Sequence, residues 1–258
     1  MSRALHAEWT KQRTIAGTGW LLLGAVALTA ALSAVVAAAV SYASSGSGQD
    51  LTKLSLTGVY IGQAIVAIFA VQTMTGEYST GMIHLTLTAM PRRHTMLAAK
   101  ATVLIALVLA AGTAAVLLSI LLGRLILPGN GFTAAHGYQL VSLGHGPTLR
   151  AAAGSVLYLG LIALLSLGIA AAVRDSAIAI GIVLGLLYLF PIIAALAPDP
   201  ALRRHLQQIG PMTAGLAIQD TTSLHHLPIA PWAGLGVLAA WAAAAILLGG
   251  LLLRWRDG

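Results

Sequence analysis

Cysteine is absent from the 258 residues, which excludes disulfides, thiolate-bound zinc, iron–sulfur clusters and thiol catalysis. Charge is scarce as well. Only 8% of the residues are Asp, Glu, Lys or Arg, against about 25% in an ordinary soluble domain. So few charges cannot clothe a globule of this size in solvated side chains. Seven acidic residues face fourteen basic ones, for a net charge of +7; in a membrane protein that excess points to lipid headgroups and topology rather than to nucleic acid. The only lysines are Lys11, Lys53 and Lys100, and none stands in a Gly-x-x-x-x-Gly-Lys-[Ser/Thr] phosphate loop, so the chain holds no nucleotide-hydrolysing motif of its own. His-Glu-x-x-His is also missing, and the adjacent pair His225-His226 has no acids close by in the chain; it reads as loop polarity rather than as a metal site.

What is present is apolar length. Hydrophobic residues make up 58% of the chain and its mean hydropathy is +0.89. A helix needs roughly 20 apolar residues to cross about 30 Å of hydrocarbon, and six segments qualify: 20–42, 54–74, 98–127, 151–173, 176–197 and 232–253. The fold class expected is therefore all-α, a single polytopic transmembrane domain over 1–258. The basic start and apolar run at the N-terminus resemble a signal peptide, but the run is about 20 residues long rather than 7–15 and five more follow it. It reads as a retained first span. The middle of every span is free of Asp, Glu, Lys, Arg and His, which argues against a proton- or sodium-coupled carrier and against intramembrane proteolysis. Lys100 and Arg124 fall near opposite ends of the third span, where their stems are expected to snorkel to headgroups.

Lys and Arg in the flanks set orientation. With both termini in the cytoplasm, Arg3, Lys11, Arg13, Arg92, Arg93, Lys100, Arg174, Arg254 and Arg256 lie inside and Lys53, Arg124, Arg150, Arg203 and Arg204 outside. Nine against five favours that arrangement, in a cell membrane. Inside then lie residues 1–19, a loop at 75–97 and the turn Arg174-Asp175. Outside lie the Ser/Gly link 44–48, the Gly-rich loop 128–150 and the long segment 198–231.

Polar uncharged residues within the spans include Gln63, Tyr158 and Tyr188. Gln63, placed near the middle of the second span, suits either an interhelical hydrogen bond or the polar lining of an amphiphile's path, with Tyr158 and Tyr188. Gly58-x-x-x-Gly62 and Gly181-x-x-x-Gly185 allow close helix packing.

Two stretches on the inner side stand out. In residues 3–14, Leu5 and Trp9 share one side while Lys11 and Arg13 reach for headgroups; the segment suits a short interfacial helix or a basic topology signal. In residues 76–94, Glu77, Thr80, His84 and Thr88 fall on one helical side and Tyr78, Met82, Leu85 and Ala89 on another, with Pro91 ending the pattern. The pattern fits an amphipathic helix offering polar groups to the cytosol, or a plain connecting loop.

The run Gly76-Glu77-Tyr78-Ser79-Thr80-Gly81-Met82-Ile83, followed by Pro91-Arg92-Arg93, resembles the cytoplasmic loop of the six-helix permease subunits of ATP-binding-cassette exporters, the type-2 class. Glu8-Trp9-Thr10-Lys11 with Arg13-Thr14 is similar to that family's N-terminal interfacial helix. Pro211-Met212-Thr213-Ala214-Gly215 and Arg254-Trp255-Arg256-Asp257 resemble its closing region. The resemblance implies a separate ATPase subunit that binds ATP and magnesium, and a second permease copy, identical or related. It implies a coupling helix seated on the ATPase at Glu77, Tyr78, Ser79, Thr80, Gly81, Met82, Ile83 and His84, supported by Glu8, Trp9, Lys11 and Arg13. It further implies that 198–231 is a re-entrant or outer-surface region. The function expected is export of a hydrophobic or amphiphilic substrate, with this chain itself not an enzyme. The rivals are a non-transporting assembly or immunity factor and, further off, a lipid-modifying enzyme using His136, His145 or the acids of the outer loops.

Overall fold

The computed structural model describes residues 2–14, 16–42, 48–79 and 93–255, and these are helical throughout apart from turns and loops. Six helices are long and apolar enough to cross a membrane: α2 (Ala16–Ala39), α4 (Val59–Ser79), α5 (Arg93–Ile126), α6 (Gly146–Val173), α7 (Ser176–Leu196) and α10 (Pro231–Trp255). Among the described residues four shorter α-helices accompany them: α1 (Ser2–Thr14), α3 (Leu51–Ser55), α8 (Pro200–Ile209) and α9 (Pro211–Leu216). This is an all-α, multi-pass membrane architecture; with no water in hydrocarbon to satisfy a backbone, a single-chain span must be a helix or part of a closed barrel.

Six crossings bring both chain ends to the same end of the bundle. Glu8 of α1 meets Lys100 near the start of α5, and the backbone at Gly250 of α10 approaches Leu97. That end is called here the terminal end, and the opposite one the distal end. α4 and α6 are the inner helices, with more than half of each span buried, while α2, α7 and α10 turn most of their length outward. A core of Val66, Ala70, Met74, Leu104, Ile162 and Leu238 fills the space between them.

Glycine sets the closest crossings. The amide of Gly58 donates to Ser33 Oγ (3.0 Å) on α2, and side-chain carbons at Gly58 and Gly62 would run into Thr29. The Gly58-x-x-x-Gly62 spacing thus packs α4 on α2. Gly181 and Gly185 instead face open space on α7. A second crossing sets Gly168 of α6 against Ala245, Ile246 and Gly249 of α10.

The second and fourth spans depart from the bounds expected of them, and the departures matter. The second span starts five residues later than the apolar run, because Asp50 caps α3 and the turn Leu56–Gly58 separates it from α4. It also ends five residues later, at Ser79. Gln63 therefore lies in the first turns of α4, not at its middle, and Glu77 and Tyr78 are part of the spanning helix and not of a loop. The fourth span begins at Gly146, with Pro147 in its first turn, where a missing N–H costs nothing. Arg174 takes φ +68° to cap α6, and Asp175 caps α7 by accepting from the Ile178 amide (2.8 Å).

Between α7 and α10 the chain enters the bundle. Beyond α8, whose residues are all at least partly exposed, Trp241 Nε1 donates to the Ile209 carbonyl (2.9 Å) and Gly210 lies against Phe190. The following α9 and the turn Ala217–Gln219 are buried against α6 and α10.

Candidate functional site

At the terminal end the scarce charges converge. Lys100 Nζ lies 3.0 Å from Glu8 Oε2 and 2.5 Å from Glu77 Oε1, and Lys11 pairs with the same Glu77 oxygen. The Lys100 side chain is fully buried, Glu77 and Glu8 nearly so, and Lys11 a quarter exposed. Two cations and two anions make the group neutral. Lys100 also approaches the Thr73 carbonyl at 3.5 Å. Burying a charge is tolerated only when it is paired and hydrogen-bonded, and here each ion neutralises the next.

Three helices supply the four ions, α1 giving both Glu8 and Lys11. Ala4, Glu8 and Gln12, at i, i+4 and i+8, form the buried stripe of α1, while Trp9 on the next face stays exposed and Arg13 with it. α1 thus packs on the bundle by a stripe of Ala4, Glu8 and Gln12 and not by the side that Leu5 and Trp9 share. Gln12 Oε1 accepts from Thr18 Oγ1 (2.9 Å), which fixes α1 against the start of α2. The snorkelling expected of Lys100 is corrected: its ammonium turns inward to two carboxylates rather than outward to headgroups. Glu77 likewise faces the bundle, not the cytosol-facing side shared with Thr80 and His84. Arg174, in the turn between α6 and α7, sits over the Tyr78 ring at 5.5 Å, and Ser176 Oγ donates to Thr75 Oγ1 (2.8 Å). The end of α4 is therefore held by α1, α5 and the α6–α7 turn together. Thr80, Gly81, Met82, Ile83 and His84, along with the rest of 80–92, lie outside the described residues; for Ser79 the backbone alone is described.

Gln63 and Tyr158, both buried, meet: the Tyr158 hydroxyl donates to Gln63 Oε1, and Gln63 Nε2 lies 3.1 Å from Met212 Sδ. This is an interhelical bond joining α4, α6 and α9. Tyr188 joins the same assembly at the Tyr60 carbonyl, which accepts from both the Tyr188 hydroxyl and Gln63 Nε2 (3.1 Å).

The distal end has a second polar assembly that sequence pattern did not single out. Asp50 accepts from the Lys53 amide (3.0 Å), the Thr222 amide (3.0 Å), the Thr221 amide and the Thr221 hydroxyl (2.7 Å). Lys53 Nζ pairs with Asp220 at 2.6 Å, and Arg150 donates to the Asp220 carbonyl. These bonds tie the start of α3 to the exit of the inward segment. Beside them opens a cavity of about 440 Å³ lined by Gln49, Thr52, Tyr138, His145, Thr148 and Thr222, among others. His136 stacks on Tyr42 (4.2 Å between rings) and its Nδ1 lies 2.7 Å from the Gly131 carbonyl. Among the described residues no group of three or more His, Asp or Glu could hold a metal ion.

No family model matches the chain, and no curated protein matches it.

Proposed function

We propose that this chain is the membrane-spanning permease subunit of an ATP-binding-cassette exporter, of the type-2 class that its loop motif resembles. The observation that carries the proposal is the position of Glu77. It stands at the root of the Gly-Glu-Tyr-Ser-Thr-Gly segment, and Lys11 and Lys100 bind it from α1 and α5. A partner pressing on residues 80–92 would move the ends of α1, α4 and α5 as one body, since separating them would strand buried charge. That is the requirement on a subunit which must take up work from a motor it does not contain.

In this reading both termini are cytoplasmic, a separate ATPase supplies ATP and magnesium chemistry, and a second permease copy completes the transporter. Residues 79–84 contact the ATPase, and Trp9 and Arg13, exposed on α1, give a flanking contact. Glu8, Lys11 and Glu77 transmit the displacement rather than touch the ATPase. Nucleotide binding would shift the bundle between two packings by favouring one of them. The absence of Asp, Glu, Lys, Arg and His from the middle of the spans suits a hydrophobic or amphiphilic cargo.

The test is purification of the tagged full chain from its native membrane, with identification of co-purifying chains by mass spectrometry and assay of ATP hydrolysis. A bound subunit bearing a phosphate loop, lost with Met82→Arg, is expected. Absence of such a subunit, or hydrolysis indifferent to both Met82→Arg and Gly81→Pro, overturns the reading in favour of a non-transporting membrane protein.

A further inference from the structure

The ten residues of α8 divide sharply by side. Leu202, Leu206 and Ile209 recur at i, i+4 and i+7, while Pro200, Arg204 and Gln208 recur at i, i+4 and i+8. Leu202 and Ile209 remain exposed while Leu206 between them is half-buried, so the bundle takes up only part of the apolar side. On the opposite side Pro200, Ala201, Arg204, His205 and Gln208 line a shallow groove of about 340 Å³. Neighbouring contacts fix the helix's depth. Ile209 is bonded by Trp241, ten residues into α10, and Gly210 abuts Phe190, six residues before the end of α7. At 1.5 Å per residue its C-terminal end lies roughly 9–15 Å below the tops of those spans. Arg204, one and a half turns earlier, sits near the level where the lipid-facing residues Ile192, Ile193 and Leu196 of α7 end.

A basic side chain at that level, on a helix whose other side is apolar and partly exposed, is satisfied on both sides by hydrocarbon along Leu202 and Ile209 and phosphate beside the guanidinium. Charge complementarity supports the same occupant. No acidic residue lies within α8; Asp199 caps the helix at the Ala201 amide, and Asp220 is held by Lys53. Arg203 is already occupied by the Ala197 carbonyl (2.9 Å), and Gln208 Nε2 by the Pro228 carbonyl (2.7 Å). Arg204 has no protein partner among the described residues.

We propose that α8 is a docking site for an anionic phospholipid of the leaflet at the distal end, with Arg204 binding the headgroup phosphate, the His205 ring beside it, and Leu202 and Ile209 lying along the acyl chains. The site fastens the descending limb of the inward segment to the bilayer. It requires only that the six helices span a membrane, and stands whether or not the chain is an exporter subunit.

The full chain, delipidated in maltoside micelles, is titrated with dioleoyl phosphatidylglycerol, with dioleoyl phosphatidylcholine and with inorganic phosphate, and bound lipid is counted by native mass spectrometry. Phosphatidylglycerol is expected to bind more tightly than phosphatidylcholine. Arg204→Gln should weaken the tightest phosphatidylglycerol adduct about fivefold, the worth of one basic side chain at an anionic surface. Arg204→Lys should retain most of the binding, and His205→Gln should weaken it less than Arg204→Gln does. Because these side chains are exposed, the variants should keep the thermal stability of the parent. Equal binding by the parent and Arg204→Gln, no preference for phosphatidylglycerol, or displacement of the lipid by inorganic phosphate would each overturn the proposal.

Discussion

The two ends of the bundle are both fastened by ionised side chains, yet they use opposite physics. At the terminal end Glu8, Glu77 and Lys100 are almost wholly withdrawn from solvent. Their Coulomb attraction is strong there because little water screens it, and their desolvation is costly for the same reason. At the distal end Lys53 is 43% exposed, and Asp50 works chiefly as an acceptor for amides and hydroxyls. The first end is all-or-none: every ion depends on the others. The second is graded, since losing one bond leaves the rest solvated and intact. A membrane protein can thus place a rigid joint and a yielding one at its two ends with few charges.

The largest test of this contrast is Lys100→Met. It leaves Glu8 without its cation and Glu77 with only the part-exposed Lys11, and unfolding in detergent followed by circular dichroism should show a loss of about 3–5 kcal/mol. Adding Glu8→Gln and Glu77→Gln removes both buried anions, leaves only Lys11, a quarter exposed, without its partner, and should restore most of it. A loss under about 1 kcal/mol for Lys100→Met alone, the range of exposed pairs, would erase the difference between the ends. Next comes Asp50→Asn, which removes charge-assisted bonds to three amides and a hydroxyl; about 1.5–3 kcal/mol is expected in the same assay. Tyr158→Phe deletes the bond to Gln63 and should cost about 0.6 kcal/mol, with about 1.7 as an upper bound. The smallest effect belongs to Lys53→Ala, about 0–1 kcal/mol, because exposure discounts its pairing with Asp220. Salt sharpens the contrast further. Raising ionic strength from about 0.1 to 1 M shortens the screening length from about 10 to 3 Å, so the Lys53 increment should vanish in a salt titration while the Lys100 increment persists.

Sequence pattern located the membrane helices because a span is a local property, legible as a run of sufficient apolar length. Its boundaries were less legible. The apolar run 54–74 ignores the capping of α3 by Asp50 and the turn Leu56–Gly58, and apolar length says nothing about where a helix continues through Thr, Glu and Tyr to Ser79. Gln63 was noticed as polar within a span, and one of the two roles it suited, the interhelical bond, is the one it plays with Tyr158. The inward stripe of α1 was missed because hydrophobic periodicity assumes that apolar residues pack, and Ala4-Glu8-Gln12 packs by neutralised charge. A hint was present: Glu8, Glu77 and Lys100 are scarce charges at the ends of otherwise apolar runs, and residues of that kind need partners. Asp50 left a weaker signal, an acid two residues ahead of Thr52 and three ahead of Lys53, which marks a helix start but not its contacts with Thr221 and Thr222.

Taken alone, the amino-acid order determined that this is an all-helical, cysteine-free membrane protein with six apolar crossings, since each of those properties is decided within a span of about 20 residues. Tertiary structure alone decided which charges meet. The bonds from Lys100 to Glu77 and to Glu8 join residues 23 and 92 positions apart, and that of Lys11 to Glu77 spans 66. No periodicity carries such pairings. They exist because hydrocarbon and a packed interior leave an ionised group only one tolerable neighbour, another of opposite sign, and only the folded bundle can bring it there.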